Sequence, residues 1–540
     1  ESKLTGADYH TFSFDPAQPL KLRAESGDRG LLVEIPETGL KLAVESLDAE
    51  RGRVTLKLPW RKRDQRRADG LGDGIPDQLT SLIKVPADIS EKLRDSLLEQ
   101  ANAWLEGSEP IPPAMLQLLE RQPIADLVAL NAAVEAEPAS VATRLADFLV
   151  KSSGCTLALQ GPPGTGKSTV TGQVIAQLVA RGKRVAISSN SHAAINNLLI
   201  KAHATCLRQG LGERVVKCSS SKKEEVLQER GIPLVTPAAI TEEMAVVGGT
   251  TWMFCREELA DQFDLLVVDE AGQMSLANLL VMARCAKSIL LVGDQQQLAQ
   301  PSQADHPGDS GLSCLEYLMQ GAHVVPAERG VFLATSWRME PSLTAMVSEL
   351  FYDGRLQANP ANAVNAISWR EPLIAASGQP MASQGLVFEP VLHTGCSVVS
   401  EDEIDRIEQI VDALLNGSYC HAEAGGEKRG VLGPEQILVT APYNVQVNRL
   451  QQRLGQRARV GTVDKFQGQE APVAIHSLTA SDGDAAPRGL GFLLEPNRLN
   501  VAISRAQCLS IVVGSPGLTT GIAGTVEEAE QINRLCRICA

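Results

Sequence analysis

The chain has 540 residues, 44% of them hydrophobic but only 4% aromatic, enough for about three or four domains with largely aliphatic cores. No apolar run approaches the roughly 20 residues needed to cross a bilayer, and the start, ESKLTGADYH, lacks the basic region and apolar stretch of a signal peptide. A net charge of −14 does not by itself suggest nucleic acid, although a basic groove can coexist with an acidic total because phosphates sense the local potential.

In chain order, residues 20–60 read as short alternating strands, LKLRAE, LLVEI, LKLAVE and RVTLKLPW, separated by Gly, Asp and Pro, which predicts a small β-barrel or sheet. RKRDQRR (61–67) follows, with five basic residues in seven, read either as a solvated loop or as a phosphate-contacting arm. From Asp88 to about Glu120 apolar residues recur three or four apart, a helical pattern punctuated by Pro110, Pro112 and Pro113.

After Ala139 helical stretches alternate with nearly all-apolar runs that end in polar residues: CTLALQ (155–160), RVAISS (184–189), DLLVVDE (264–270) and SILLVGD (288–294). A second alternation from about Val331 contains GLVFEP, QILVT (436–440), VAIHSL (473–478) and LSIVVGS (509–515). Such runs are the mark of parallel strands covered on both faces, whose ligands bind at the carboxyl ends. The fold class is therefore α/β with two parallel-sheet units, and a ligand held between them is expected. The eleven cysteines are scattered, odd in number and mostly in apolar segments, which points to reduced thiols in a cytoplasm. The close pair Cys536 and Cys539 has no second pair to complete a zinc site.

GPPGTGKS (161–168) carries the strongest chemistry. It follows an apolar strand and precedes the helical STVTGQVIAQLVA, as a phosphate-binding loop must. Its glycines let backbone N–H groups turn toward phosphates, and the helix N-terminus adds partial positive charge. Lys167 is placed to reach the β- and γ-phosphates of ATP, and the Ser168 hydroxyl to ligand Mg²⁺. The strand DLLVV then ends in Asp269, a second Mg²⁺ holder, and Glu270, a base for the attacking water. An acidic helix cap is the bland alternative for this pair. Beyond them, Gln297 in GDQQQL (293–298) is a neutral amide suited to sensing the γ-phosphate. Arg338 in SWRMEP and Arg505 in NVAISRA lie far along the chain, as arginine fingers supplied across a cleft do.

The ordered set GPPGTGKST, SSNSHAAINNLL (188–199), GGTTWMF (248–254), VVDEAGQ (267–273), GDQQQL, SWRMEP, TAPYNVQ (440–446), VGTVDKFQGQE (460–470) and NRLNVAISRA (497–506) resembles superfamily 1 helicases. The resemblance is closer to their 5′→3′ branch, and its wording is most similar to the helicase half of bacterial RecB-like nuclease fusions. It implies two tandem RecA-like motor domains at 126–330 and 331–540, preceded by a β-barrel accessory domain with its basic loop (1–87) and a helical stalk (88–125). For the nucleotide it implies Gly161, Pro162, Gly164, Thr165, Gly166, Lys167, Ser168 and Thr169 in the loop, with Trp337 stacking on the base. Glu470 would hold the ribose and Gln467 would lie near the γ-phosphate, while Gln122 in RQPI is the candidate for an adenine-reading glutamine. For a single strand, DNA before RNA, it implies Ser189, Asn190, His192 and Thr250 in the first unit and Pro442, Tyr443 and Thr462 in the second.

The expected molecule is thus a monomeric ATP- and Mg²⁺-dependent helicase with no membrane partner. The chain does not begin with Met and has no RecB-type carboxylate–lysine cluster, so a nuclease, if joined to it, is expected upstream of Glu1. A nucleic-acid-stimulated ATPase switch or clamp, an RNA helicase and a protein-remodelling ATPase stay open as alternatives.

Overall fold

The computed structural model describes residues 6–14 and 32–540 apart from 37, 49–50, 71, 73–74, 77, 79–80, 85–87, 220–223, 301–305 and 424. The expected strand LKLRAE (20–25) lies outside the described residues, as does much of the turn-rich stretch after residue 70. Near the N-terminus five strands form an antiparallel sheet in the spatial order Ala7–Ser13, Arg53–Pro59, Leu40–Asp48, Leu32–Ile35, Ile83–Lys84. Strict alternation turns Val54, Leu56 and Leu58 inward onto Val33, Ile35, Leu40 and Leu42, and leaves the other face polar. Among the described residues the first and last of these strands are not paired to each other.

RKRDQRR is not a loop. It lies within the helix Trp60–Ala68, which buries none of its residues. Arg, Lys and Gln are good helix formers, and a run of charge does not by itself disfavour a helix. The helix is pinned to the first strand through Asp8, which accepts from Trp60 Nε1 at 2.9 Å and from Arg63 Nη1 at 2.7 Å. The prolines at 110–113 split the long helical pattern into Asp88–Glu106 and Pro113–Leu119.

The first α/β unit is an eight-stranded sheet in the order Gly330–Phe332, Thr156–Gln160, Ala286–Gly293, Phe263–Asp269, Val185–Ser188, Val246–Gly248, Val215–Cys218, Leu234–Val235. Every neighbouring pair is parallel. The expected division at 330/331 falls inside the strand Gly330–Phe332, which pairs with Thr156–Gln160 and so extends the first unit.

The second unit is a parallel five-stranded sheet in the order Gly385–Pro390, Ala506–Gly514, Ala471–Ser477, Ile437–Thr440, Arg459–Gly461. An antiparallel three-stranded sheet, 366–368, 418–423 and 426–431, is a separate addition. The helix Pro341–Phe351 packs on the second sheet, and its Leu343, Val347 and Phe351 belong to one apolar cluster with Met282 of the first unit and Val512 of the second. The tandem α/β architecture with a small N-terminal antiparallel sheet matches the expected fold class. Among the described residues no helix is long and apolar enough to cross a membrane.

Candidate active site

In a parallel sheet all strand carboxyl ends lie on one edge, and here they gather the polar residues singled out in the sequence. Thr156–Gln160 delivers the loop Gly161–Gly166, and a helix starts at Lys167 with Ser168 and Thr169 in its first turn. Pro162 O accepts from the Thr165 hydroxyl at 2.8 Å, so that side chain braces the loop from within. Lys167 Nζ donates to Gly161 O at 3.0 Å. A Cβ at Gly161 would stand 2.1 Å from Lys167 Cγ, so only glycine lets the lysine fold back across the loop.

Asp269 ends its strand with 4% of its surface exposed. Burial, then the Glu270 carboxylate, push its carboxyl up to about 7, while the Lys167 ammonium pulls it down. Glu270 takes a left-handed conformation, φ 53°, which is costly for a residue with a side chain and is found disproportionately at functional turns. Two carboxylates crowded at a buried strand end are donors that a divalent cation would stabilise.

The segment 336–338 closes directly over the loop. Trp337 N donates to Gly164 O at 2.8 Å and Ser336 Oγ to Pro163 O at 3.2 Å. Trp337 is 61% exposed, so its ring offers a free face beside the phosphate loop. Arg338 reaches the other way, donating from Nε to Glu470 Oε2 at 2.6 Å and from Nη1 to Ser504 O at 3.1 Å. Arg338 was expected to belong wholly to the second unit; it stands on the connection and touches both. Gly164 has φ 76°, and a Cβ there would meet Arg338 Cβ at 2.4 Å. Gly164→Ala is therefore expected to cost about 1–2 kcal/mol in backbone strain and to lower nucleotide turnover by about 10²-fold, the effect of a shift of about 1 Å. Melting and steady-state kinetics on the purified variant check both.

Arg505 is 2% exposed and donates to Val501 O and Gln469 O, each at 3.1 Å, and to Gln297 Oε1 at 3.5 Å. Burial, then the like charge of Arg338, lower it to about 9, and the carboxylates of Glu270 and Glu470 oppose them. Glu470 feels burial too, yet Arg338 holds it below the usual carboxylate range. Lys167, Asp269, Glu270, Gln297, Arg338, Glu470 and Arg505 thus form one electrostatic neighbourhood drawn from both sheets. The Gln467 N–H donates to Asp464 O at 3.4 Å, just after the short helix Val463–Phe466. Gln122 is spent locally, donating to Glu120.

The residues read as strand contacts also lie at strand carboxyl ends, Ser189 and Asn190 after Val185–Ser188 and Thr250 after Val246–Gly248. Pro442 and Tyr443 follow Ile437–Thr440, and Thr462 follows Arg459–Gly461. Ser189 Oγ and Tyr443 Oη are buried with no hydrogen-bond partner among the described residues. Asn190 donates to Gln273 O, and His192 opens the helix His192–Leu207, where burial and Lys217 lower its pKa. The Tyr443 ring packs inward on Phe492 at 5.7 Å.

Sequence reading missed Gln160, Tyr352, Gln507 and Asn500. Gln507 donates to Glu470 Oε1 at 3.1 Å, and Gln160 donates to Gln295 Oε1 at 3.2 Å. Asn500 stood inside a quoted motif, but nothing in the residue string distinguishes an amide that spans a cleft from one that faces solvent.

Comparison with known proteins gives two matches to family models described as AAA domain, over residues 143–306 and 311–517. The chain is 28% identical over 482 residues to the Gallus gallus DNA replication ATP-dependent helicase/nuclease DNA2, covering 86% of this chain and 44% of that protein. It is 27% identical over 419 residues to the Saccharomyces cerevisiae ATP-dependent helicase NAM7, covering 66% and 40%. It therefore spans less than half the length of these two relatives. A solved arterivirus nonstructural protein 10 (helicase) aligns over 95% of this chain and 78% of its own, at a TM-score of 0.40 and 12% identity.

Proposed function

We propose that this chain is the motor of a superfamily 1 helicase, hydrolysing ATP between two lobes and moving along a single nucleic-acid strand. The observation that carries the reading is Arg505: a buried guanidinium from the second sheet bonded to Gln297 of the first, within the field of Glu270 and Glu470. A phosphate loop alone binds nucleotide. A second lobe that supplies cations to it makes hydrolysis depend on lobe closure, which is how a motor couples chemistry to movement.

Lys167 and the loop amides bind the β- and γ-phosphates, and Trp337 stacks on the base. Glu470 holds the ribose in exchange for its pairing with Arg338, which frees Arg338 for the γ-phosphate. Ser168 and Asp269 would hold Mg²⁺, which when bound neutralises charge on the β- and γ-oxygens. Glu270 orients the attacking water and takes its proton, and Gln297 senses the γ-phosphate. The nucleic-acid path runs over Ser189, Asn190, His192 and Thr250 to Pro442, Tyr443 and Thr462. Small hydroxyls and backbone amides suit phosphates and sugars, so little base preference is expected. The unpartnered hydroxyls of Ser189 and Tyr443 support this path.

The motor domains run from 126 to about 332 and from there to 540, with the N-terminal sheet (to 87) and helix 88–125 as accessory and stalk. The motif wording supports 5′→3′ polarity, DNA over RNA, monomeric action and a RecB-like nuclease elsewhere in a longer chain. All eleven cysteines are unpaired, which supports a reducing cytoplasmic setting. ATPase and unwinding measured on DNA and RNA duplexes with 5′ or 3′ tails test the proposal. Stimulation by single strands with unwinding of 5′-tailed DNA is the expected result. Unwinding of 3′-tailed duplexes alone overturns the polarity, and ATPase without unwinding identifies a switch or clamp.

A further inference from the structure

The two sheets are tied together by a closed ring of buried hydrogen bonds whose central member, Tyr352, has no part in the chemistry described so far. Tyr352 follows the helix Pro341–Phe351 and is fully buried. Its hydroxyl donates to Asp294 Oδ2 at 2.7 Å and accepts from Asn500 Nδ2 at 2.8 Å. Asp294 Oδ2 also accepts from Gln297 Nε2 at 2.8 Å, and Asn500 Nδ2 also donates to Gln296 O at 2.7 Å. Asn500 lies on the helix Pro496–Ile503, five residues before Arg505, whose Nη2 returns to Gln297 Oε1 at 3.5 Å.

Resting on the motor reading above, we propose that Tyr352 is a positioning residue that couples the γ-phosphate-sensing Gln297 to the helix Pro496–Ile503, and so to the Arg505 just after it, through Asp294 and Asn500. The roles in the ring are fixed by chemistry. Asp294 Oδ2 accepts from the Nε2 end of the Gln297 amide, which leaves Oε1 facing Arg505. The phenol is the one group in the ring that donates to the first lobe while accepting from the second. Burial and the Asp294 charge hold its pKa well above the ordinary value, so it stays a donor. Movement of Asn500 with its lobe is then felt at Asp294, and from there at the orientation of Gln297. Buried polar ties transmit such movement because breaking one leaves its partner without a replacement.

The test is Tyr352→Phe in the full chain, which keeps the ring's packing beside Phe332 and removes only the hydroxyl. Strand-stimulated kcat is expected to fall between about tenfold and 10²-fold, with KM for ATP changed by less than about twofold, as when an interaction made only in the transition state is lost. Asn500→Ala, from the other side of the ring, should give the same split. In a Gln297→Ala background Tyr352→Phe should cost little more, since residues acting as a unit are not additive. Phe332→Leu, a core lesion without a polar tie, should lower the melting temperature and leave kcat in place. A Tyr352→Phe kcat equal to wild type, or full additivity with Gln297→Ala, overturns the relay while the motor reading stands. A wild-type chain with no ATPase activity overturns the motor reading and the relay together.

Discussion

Lys167→Ala is expected to abolish ATP turnover, lowering kcat by at least about 10³-fold, while the fold stays intact. The ammonium sits at the mouth of the loop, bonded to Gly161 O at 3.0 Å and close enough to Asp269 to lower its pKa. It is the loop's charge for phosphate, and nothing else in GPPGTGKS carries one. The loss to stability is small by comparison, one hydrogen bond from a half-buried side chain, about 1–2 kcal/mol. A melting temperature within several degrees of wild type, with ATP hydrolysis at background, is the expected pair of results. Hydrolysis that survives the substitution would place the nucleotide somewhere other than this loop.

The second large effect belongs to the fingers. Arg505→Lys keeps a positive charge but loses the planar fork that serves Val501 O, Gln469 O and Gln297 Oε1 together. The expected fall in kcat is about 10³-fold or more, the lower end of what an arginine finger supplies. Nucleotide affinity should change far less, because Lys167, Trp337 and the loop amides remain. Arg338→Ala should behave alike in kcat, and it also releases Glu470 from its 2.6 Å pairing. Single-turnover hydrolysis beside equilibrium binding of a fluorescent nucleotide separates the two quantities. Equal losses in binding and in kcat would make these arginines ground-state anchors rather than fingers.

Most of the catalytic centre was legible because its parts are local. A glycine-rich turn between an apolar strand and a helix, and an acidic pair at a strand end, are each read within ten residues. The strands were legible for the same reason: a strand buried on both faces must be apolar throughout, and that is a property of the string. RKRDQRR shows the limit, since charge density describes a surface and says nothing of backbone shape; its residues formed a helix pinned by Asp8. Tyr352 shows it further. In FYDG it reads as one more aromatic near a turn, and only packing places its hydroxyl between Asp294 and Asn500.

By itself, then, the sequence indicated the class of chemistry: a phosphate-type loop around Lys167, an acidic pair at Asp269 and Glu270, and two parallel-sheet units to carry them. The tertiary structure decided which groups share a field. Arg338 and Glu470 lie 132 positions apart in the chain, yet their side chains pair, and Arg505 meets Gln297 across 208 positions. Contacts at that separation leave no local signal, because periodicity and turn chemistry reflect only a residue's near neighbours along the chain. The helix Pro341–Phe351 links the two units, since its Leu343, Val347 and Phe351 share one apolar cluster with residues of both.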